Sequence, residues 1–170
     1  MTAPTESETH FVDTGQPLSK IDLERLTLQD LADTLLGDKI ASGSERHVYP
    51  CHNSLFKVPC VAKICTGSQV HQNIIENEIW SRIQYTDHAK WFAPVLAIGN
   101  QGRVLIMQRT TLKLPECYPK KIPNFFTDMK YNNYGWIGKQ FVCHDYGLTL
   151  LMEKGMSKRM RKADWWSDEI

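Results

Sequence analysis

At 170 residues, with 42% hydrophobic and 23% charged side chains, the chain is long enough for one folded domain and ordinary in composition for a globular protein. A formal net charge of +1 excludes a global electrostatic drive toward nucleic acid or a membrane surface. Five cysteines (Cys51, Cys60, Cys65, Cys117, Cys143) and a polar first twenty residues without an apolar run point to reduced thiols in the cytoplasm, and no stretch approaches the roughly 18 apolar residues of a membrane helix.

Residues 1–17 are polar and punctuated by Pro4, Gly15 and Pro17, which predicts a disordered tail. A short helical turn is expected over 21–26. Thr27 then suits a helix N-cap, with Leu28, Leu31, Leu35 and Leu36 on one stripe and Gly37 as its stop. From Lys39 the period changes. Residues 40–44 and 47–51 read as two strands about a glycine-containing turn, and Cys60–Cys65 as a third. Lys63 is a charge inside that apolar strand, so it is expected to face something other than open water. The helix expected over 70–85 carries Ile75, Ile79, Ile83 and Trp80 on one face, with Glu76 among them. Residues 93–98 and 103–108 form an antiparallel hairpin about Gly99–Gly102. Three prolines make 109–124 an irregular link, and a last helix is expected over 148–163, basic in its second half. The pattern is α+β: a five-stranded antiparallel sheet with one main helix across it.

The stretch from Phe126 to Gly147 concentrates the chemistry. Tyr134–Ile137 and Gln140–Cys143 read as strands about a two-residue Gly138-Lys139 turn. Such a hairpin brings Asn133 and Asp145 side by side, an amide oxygen and a carboxylate suited to Mg²⁺. Asp128 lies on the loop leading in and could act as a base; Lys130 could face a phosphate.

These residues resemble the protein kinase-like fold over roughly 39–147, in a minimal form of bacterial or phage type. Asp128-x-Lys130-x-x-Asn133 resembles the catalytic loop, and Asp145-Tyr146-Gly147 resembles the metal-binding Asp-Phe-Gly motif at the right distance downstream. Val61-Ala62-Lys63-Ile64 resembles the third-strand lysine segment, with Glu76 as the lysine's helix partner. Residues 40–49 look like the glycine-rich loop, of whose glycines Gly43 alone remains, followed by Val48. Residues 103–108 look like the strand entering the hinge.

The resemblance implies ATP and Mg²⁺ as cofactors. Lys63 would hold the α/β-phosphates, oriented by Glu76, and Gly43 would admit backbone N–H groups to the phosphates. Val48 and Ala62 would sandwich adenine, Met107 would back its pocket, and Gln108 would begin the hinge. Asn133 and Asp145 would hold the metal, Asp128 would take a hydroxyl proton, and Lys130 would steady the γ-phosphate. The chain divides accordingly into the 1–17 tail, an N-lobe-like region over 18–108 and a much reduced C-lobe-like region over 109–170.

The departures from the family pattern matter. Phe126 and Thr127 stand where the loop usually has His and Arg, about twenty residues separate hinge from Asp128, and 23 follow Gly147. The expected function is therefore an ATP/Mg²⁺-dependent phosphotransferase whose acceptor is itself, a small molecule or a docked protein. The alternative is a pseudokinase-like module that engages a partner protein, with or without nucleotide. An unrelated α+β binding protein is the third reading. Lys63–Glu76 could also be a plain structural ion pair, and Asp128, Asn133 and Asp145 plain turn residues. His47, Cys51, His52 and Cys60 fit no closed zinc spacing, and Cys143 and His144 are strand neighbours that cannot face each other. Trp165-Trp166 is expected to fold back onto the sheet over apolar surface.

Overall fold

A computed structural model describes residues 27–52 and 56–167. The tail and helical turn expected before Thr27 lie outside the described residues. The first helix, α1 (Leu28–Thr34), begins on a capping box: the Thr27 hydroxyl accepts from the Asp30 N–H at 3.1 Å, and the Asp30 carboxylate accepts from the Thr27 N–H at 2.9 Å. Five strands follow as one sheet, β1 (Ala41–Ser42), β2 (Arg46–Pro50), β3 (Cys60–Cys65), β4 (Val95–Gly99) and β5 (Val104–Gln108), antiparallel throughout in the order β1-β2-β3-β5-β4. Helix α2 (His71–Ile83) connects β3 to β4. The α+β, five-stranded antiparallel arrangement expected from the pattern of strands and helices is the one observed.

The two central strands are covered on both faces, and period-2 alternation decides what each face receives. Cys60 and Ala62 of β3, with Val104 and Ile106 of β5, pack against Leu31 of α1 and Leu35 at its C-cap. Val61 of β3, with Leu105 and Met107 of β5, belongs to the larger core shared with Ile79 and Ile83 of α2.

A second region is built after β5. The irregular link carries β6 (Lys121–Pro123), followed by the hairpin of β7 (Tyr134–Ile137) and β8 (Gln140–Cys143), then α3 (Leu151–Lys154) and β9 (Met160–Lys162). The hairpin register pairs Tyr134 with Cys143 and Ile137 with Gln140, and Gly138 takes the positive φ of 61° that its two-residue turn requires. The continuous last helix expected over 148–163 is a single turn instead. Gly155 leaves the helix at φ 65°, and β9 then pairs antiparallel with β6 while Arg161 donates to the Phe126 carbonyl at 2.7 Å. A free strand edge and a carbonyl cap compete better for these residues than a helix with little apolar stripe.

Aromatic rings fill this region. Phe92, Phe125, Phe126 and Tyr146 pack behind the hairpin. Trp165 folds back on its outer side, with ring centroids of Tyr118, Tyr131, Tyr134 and Phe141 all within 5.8 Å and its indole N–H donating to the Pro119 carbonyl at 2.9 Å. Trp165 thus covers the hairpin rather than the five-stranded sheet, and Trp166 remains 46% exposed.

The hairpin is held to the link by two backbone hydrogen bonds between Thr111 and Trp136, each 2.9 Å. Gly135 permits this approach: a Cβ there would stand 2.8 Å from the Thr110 side chain and 2.9 Å from the Thr111 carbonyl oxygen. Gly135→Ala is expected to cost about 1–3 kcal/mol in thermal denaturation, because backbone must shift. Gly67→Ala, where nothing lies within 4 Å, is expected to stay within about 0.5 kcal/mol of the parent.

Candidate functional site

Alternation along β2 and β3 points Arg46, Val48, Val61 and Lys63 to one side of the sheet, and Val48 sits directly opposite Lys63 in the register. On α2, Asn73 and Glu76 are three residues apart and share the buried stripe with Ile79 and Ile83. The first half of that stripe is therefore polar. Glu76 has no solvent exposure and accepts five hydrogen bonds from three groups. Lys63 Nζ reaches both its oxygens at 2.9 Å. Arg46 Nη1 and Nη2 reach one oxygen each, at 3.0 and 3.3 Å, and the Tyr146 backbone N–H adds a bond of 3.2 Å. Lys63 also donates to the His144 carbonyl.

Asn73 locks this cluster from beneath. Its amide nitrogen donates to the Gly102 carbonyl at 2.9 Å, and its oxygen accepts from Arg46 Nη1 at 3.1 Å. Arg46 then reaches across to the hairpin base, where Nη2 lies 2.7 Å from Asp145 Oδ1. Burial opposes the charge on Asp145, but Lys63 and Arg46 outweigh it and hold the carboxyl below its usual range. For Arg46 burial is likewise overcome, by Glu76 and Asp145, and its guanidinium is held more firmly protonated than usual.

The hairpin closes as its length requires. The backbone N–H groups of His144 and Asp145 both donate to the Asn133 carbonyl, at 2.9 and 3.2 Å. The Asn133 side-chain amide donates to Asp128 Oδ2 at 2.8 Å, and the Lys130 backbone N–H donates to Asp128 Oδ1 at 3.2 Å. Tyr134 fixes the Asp128 backbone through a hydroxyl bond of 2.9 Å to its carbonyl.

Between sheet and hairpin lies a cleft of about 890 Å³. Val48, Val61 and Met107 line it with apolar surface; Lys63, Asn133 and Asp145 line its polar part. Gly43, Gln108 and Lys130 also face it, whereas Asp128 opens into an adjoining recess of about 50 Å³ that shares Asn133 and Asp145 with the cleft. Glu76 stands behind Lys63. One expected lining residue does not belong. Ala62 is fully buried against α1 on the opposite face of the sheet, because it is one residue from Lys63 on a strand whose side chains alternate; Val61 takes its place. Arg46 is the site residue that the sequence reading passed over. Its signal was its position two residues before Val48 on the same strand face.

The donor set was tested against a magnesium ion. Asn133 spends its amide nitrogen on Asp128, so its oxygen is the atom left to face a cation. Asp145 Oδ1, however, is already held by the Arg46 guanidinium. A dication there would be left with Oδ2 and would share the carboxylate with a buried positive charge, so Asp145 and Asn133 as arranged are a weak donor set for Mg²⁺. Among the described residues, no three His, Cys, Asp or Glu side chains group as a metal site.

His144 joins hairpin to link. Its Nε2 lies 2.8 Å from the Asn132 carbonyl and its Nδ1 2.8 Å from the Thr110 hydroxyl. A carbonyl can only accept, so Nε2 carries the proton and Nδ1 accepts from Thr110. No known family model and no curated protein sequence matches the chain.

Burial, with Lys63 nearby, lowers the His144 ring from its ordinary 6.5 to about 4. The unfolded chain then binds the extra proton between these two values, so stability is full above pH 6.5 and falls as pH drops toward 4, by up to roughly 3 kcal/mol. Denaturant titrations across that window should show the loss, and His144→Gln should flatten it.

Proposed function

We propose that the cleft binds ATP and that the chain is a minimal nucleotide-binding protein of the protein kinase-like kind. The observation that carries this reading is the buried Lys63–Glu76 pair, at 2.9 Å, at the back of a cleft that Val48, Val61 and Met107 line with apolar surface. A nucleotide needs a flat apolar slot for its base and a fixed cation for its phosphates, and these two requirements meet here. In this reading Val48, Val61 and Met107 hold the base and Gln108 begins the segment along its edge. Gly43 lets backbone N–H groups approach the phosphates, and Glu76 holds the Lys63 ammonium where they arrive.

Two activities can be built on such a site. Phosphoryl transfer is favoured by Asp128, whose carboxylate is pinned by Asn133 and by the Lys130 N–H beside the cleft floor. A hydroxyl acceptor on a small molecule, on the chain itself or on a docked protein would reach it through the adjoining recess. A binding module that engages a partner protein is favoured by Arg46, which holds Asp145 in an ion pair of 2.7 Å. Transfer of the usual kind requires that carboxylate to be released. The geometry therefore supports nucleotide binding first and transfer second.

Thermal denaturation with ATP tests the reading. At a hundred times its dissociation constant ATP should add ~2.7 kcal/mol, which for a chain of this size is a Tm rise of roughly 5–10 °C. Lys63→Met should lose most of the rise. The absence of any rise for the parent at millimolar ATP would overturn the proposal. ADP release above that of Asp128→Asn would establish transfer.

A further inference from the structure

We infer that Arg46 takes the place of the divalent cation, so that the cleft binds a nucleoside triphosphate as its metal-free anion, held between Arg46 and Lys63. This rests on the nucleotide reading above and goes beyond it by assigning the charge that the phosphates meet. A dication in a phosphate site bridges a carboxylate to the phosphate oxygens and neutralises both. Arg46 is already placed to do so. Its guanidinium lies on the cleft wall, is only 6% exposed, and binds Glu76 on one side and Asp145 on the other. Asn73 holds Nη1 at 3.1 Å, so the group is fixed rather than free to swing out as a surface side chain would.

The charges around the cleft agree. Arg46, Lys63, Arg109 and Lys130 line it against Glu45 and Asp145, a surplus of two positive charges, and Glu76 behind the wall reduces it to one. That surplus attracts a polyphosphate directly. The terminal N–H groups of Arg46 are engaged by Asn73, Glu76 and Asp145, so an entering phosphate meets the guanidinium charge and competes with these partners for its donors. Magnesium on Asp145 would share the carboxylate with Arg46, which holds Oδ1 at 2.7 Å.

Isothermal calorimetry of the full chain with ATP, in EDTA and in excess Mg²⁺, decides the point. The parent should bind in EDTA and at least about threefold more weakly in excess Mg²⁺, because Mg²⁺ takes up the free anion. Arg46→Met should bind at least roughly tenfold more weakly in EDTA and recover in Mg²⁺, since a tenfold change is the scale of one charge-assisted contact. Parent binding as tight in Mg²⁺ as in EDTA, or tighter, would overturn this inference while leaving nucleotide binding intact. No heat in either buffer would overturn both readings. The parent arms decide the outcome even if Arg46→Met fails to fold, and Arg46→Lys, which keeps the charge, should retain part of the metal-free affinity.

Discussion

A single buried carboxylate organises this molecule. Glu76 has no contact with water, and an isolated ionised carboxylate in such a place would be untenable. Its five hydrogen bonds come from Arg46 of β2, from Lys63 of β3 and from the segment that leaves the hairpin. Each donor is itself shared: Lys63 with the His144 carbonyl, Arg46 with Asn73 and Asp145. The two acids and two bases are neutral as a set and connect four pieces of chain distant in sequence. Removing one partner leaves the others with uncompensated buried charge, a loss on the order of 3–5 kcal/mol for pairs of this kind. The sheet, α2 and the hairpin are thus joined by electrostatics as much as by apolar packing.

That arrangement has a cost to α2, whose inward stripe begins with Asn73 and Glu76 and becomes apolar only at Ile79 and Ile83. A helix serving the core alone would place apolar residues at all four positions. Polar groups there are retained where they hold a charge in a fixed position next to a cavity, and the 890 Å³ cleft lies on the other side of Lys63. His144 extends the same logic to the link, since its ring bonds to Thr110 and Asn132 tie the cleft's far wall to the hairpin.

Much of this was legible in residue order because period and turn chemistry are local. Gly138-Lys139 between two alternating runs defined the hairpin, and its closure placed Asn133 beside Asp145. Lys63 within an apolar strand announced an inward partner. The misplacement of Ala62 shows the opposite case: residue type suggested the cleft, whereas strict alternation from Lys63 assigns it to the α1 face. Arg46 obeyed the same alternation with Val48 but was passed over, because an arginine near a glycine turn reads as surface until its partners, thirty and ninety-nine residues away, are known. The last helix failed for a different reason. Gly155 and the open β6 edge are tertiary circumstances that a basic, weakly periodic stretch does not reveal.

The second region shows how a short chain can carry such a cleft. The floor residues Asn133 and Asp145 need a rigid base, and a two-stranded hairpin alone is marginal in water. Here the hairpin is packed by aromatic rings from outside it, Phe92, Phe126 and Tyr146 in one cluster and Trp165 with Tyr118 against its own Phe141 in another. Aromatic rings bury much area per residue at low entropic cost, so few residues suffice. The return of β9 onto β6 anchors the strap that delivers Trp165. In the proposed nucleotide reading, rigidity at the floor and a fixed guanidinium on the wall serve one end: the charges that meet the phosphates are in place before the ligand arrives, so little reorganisation is left for binding to drive.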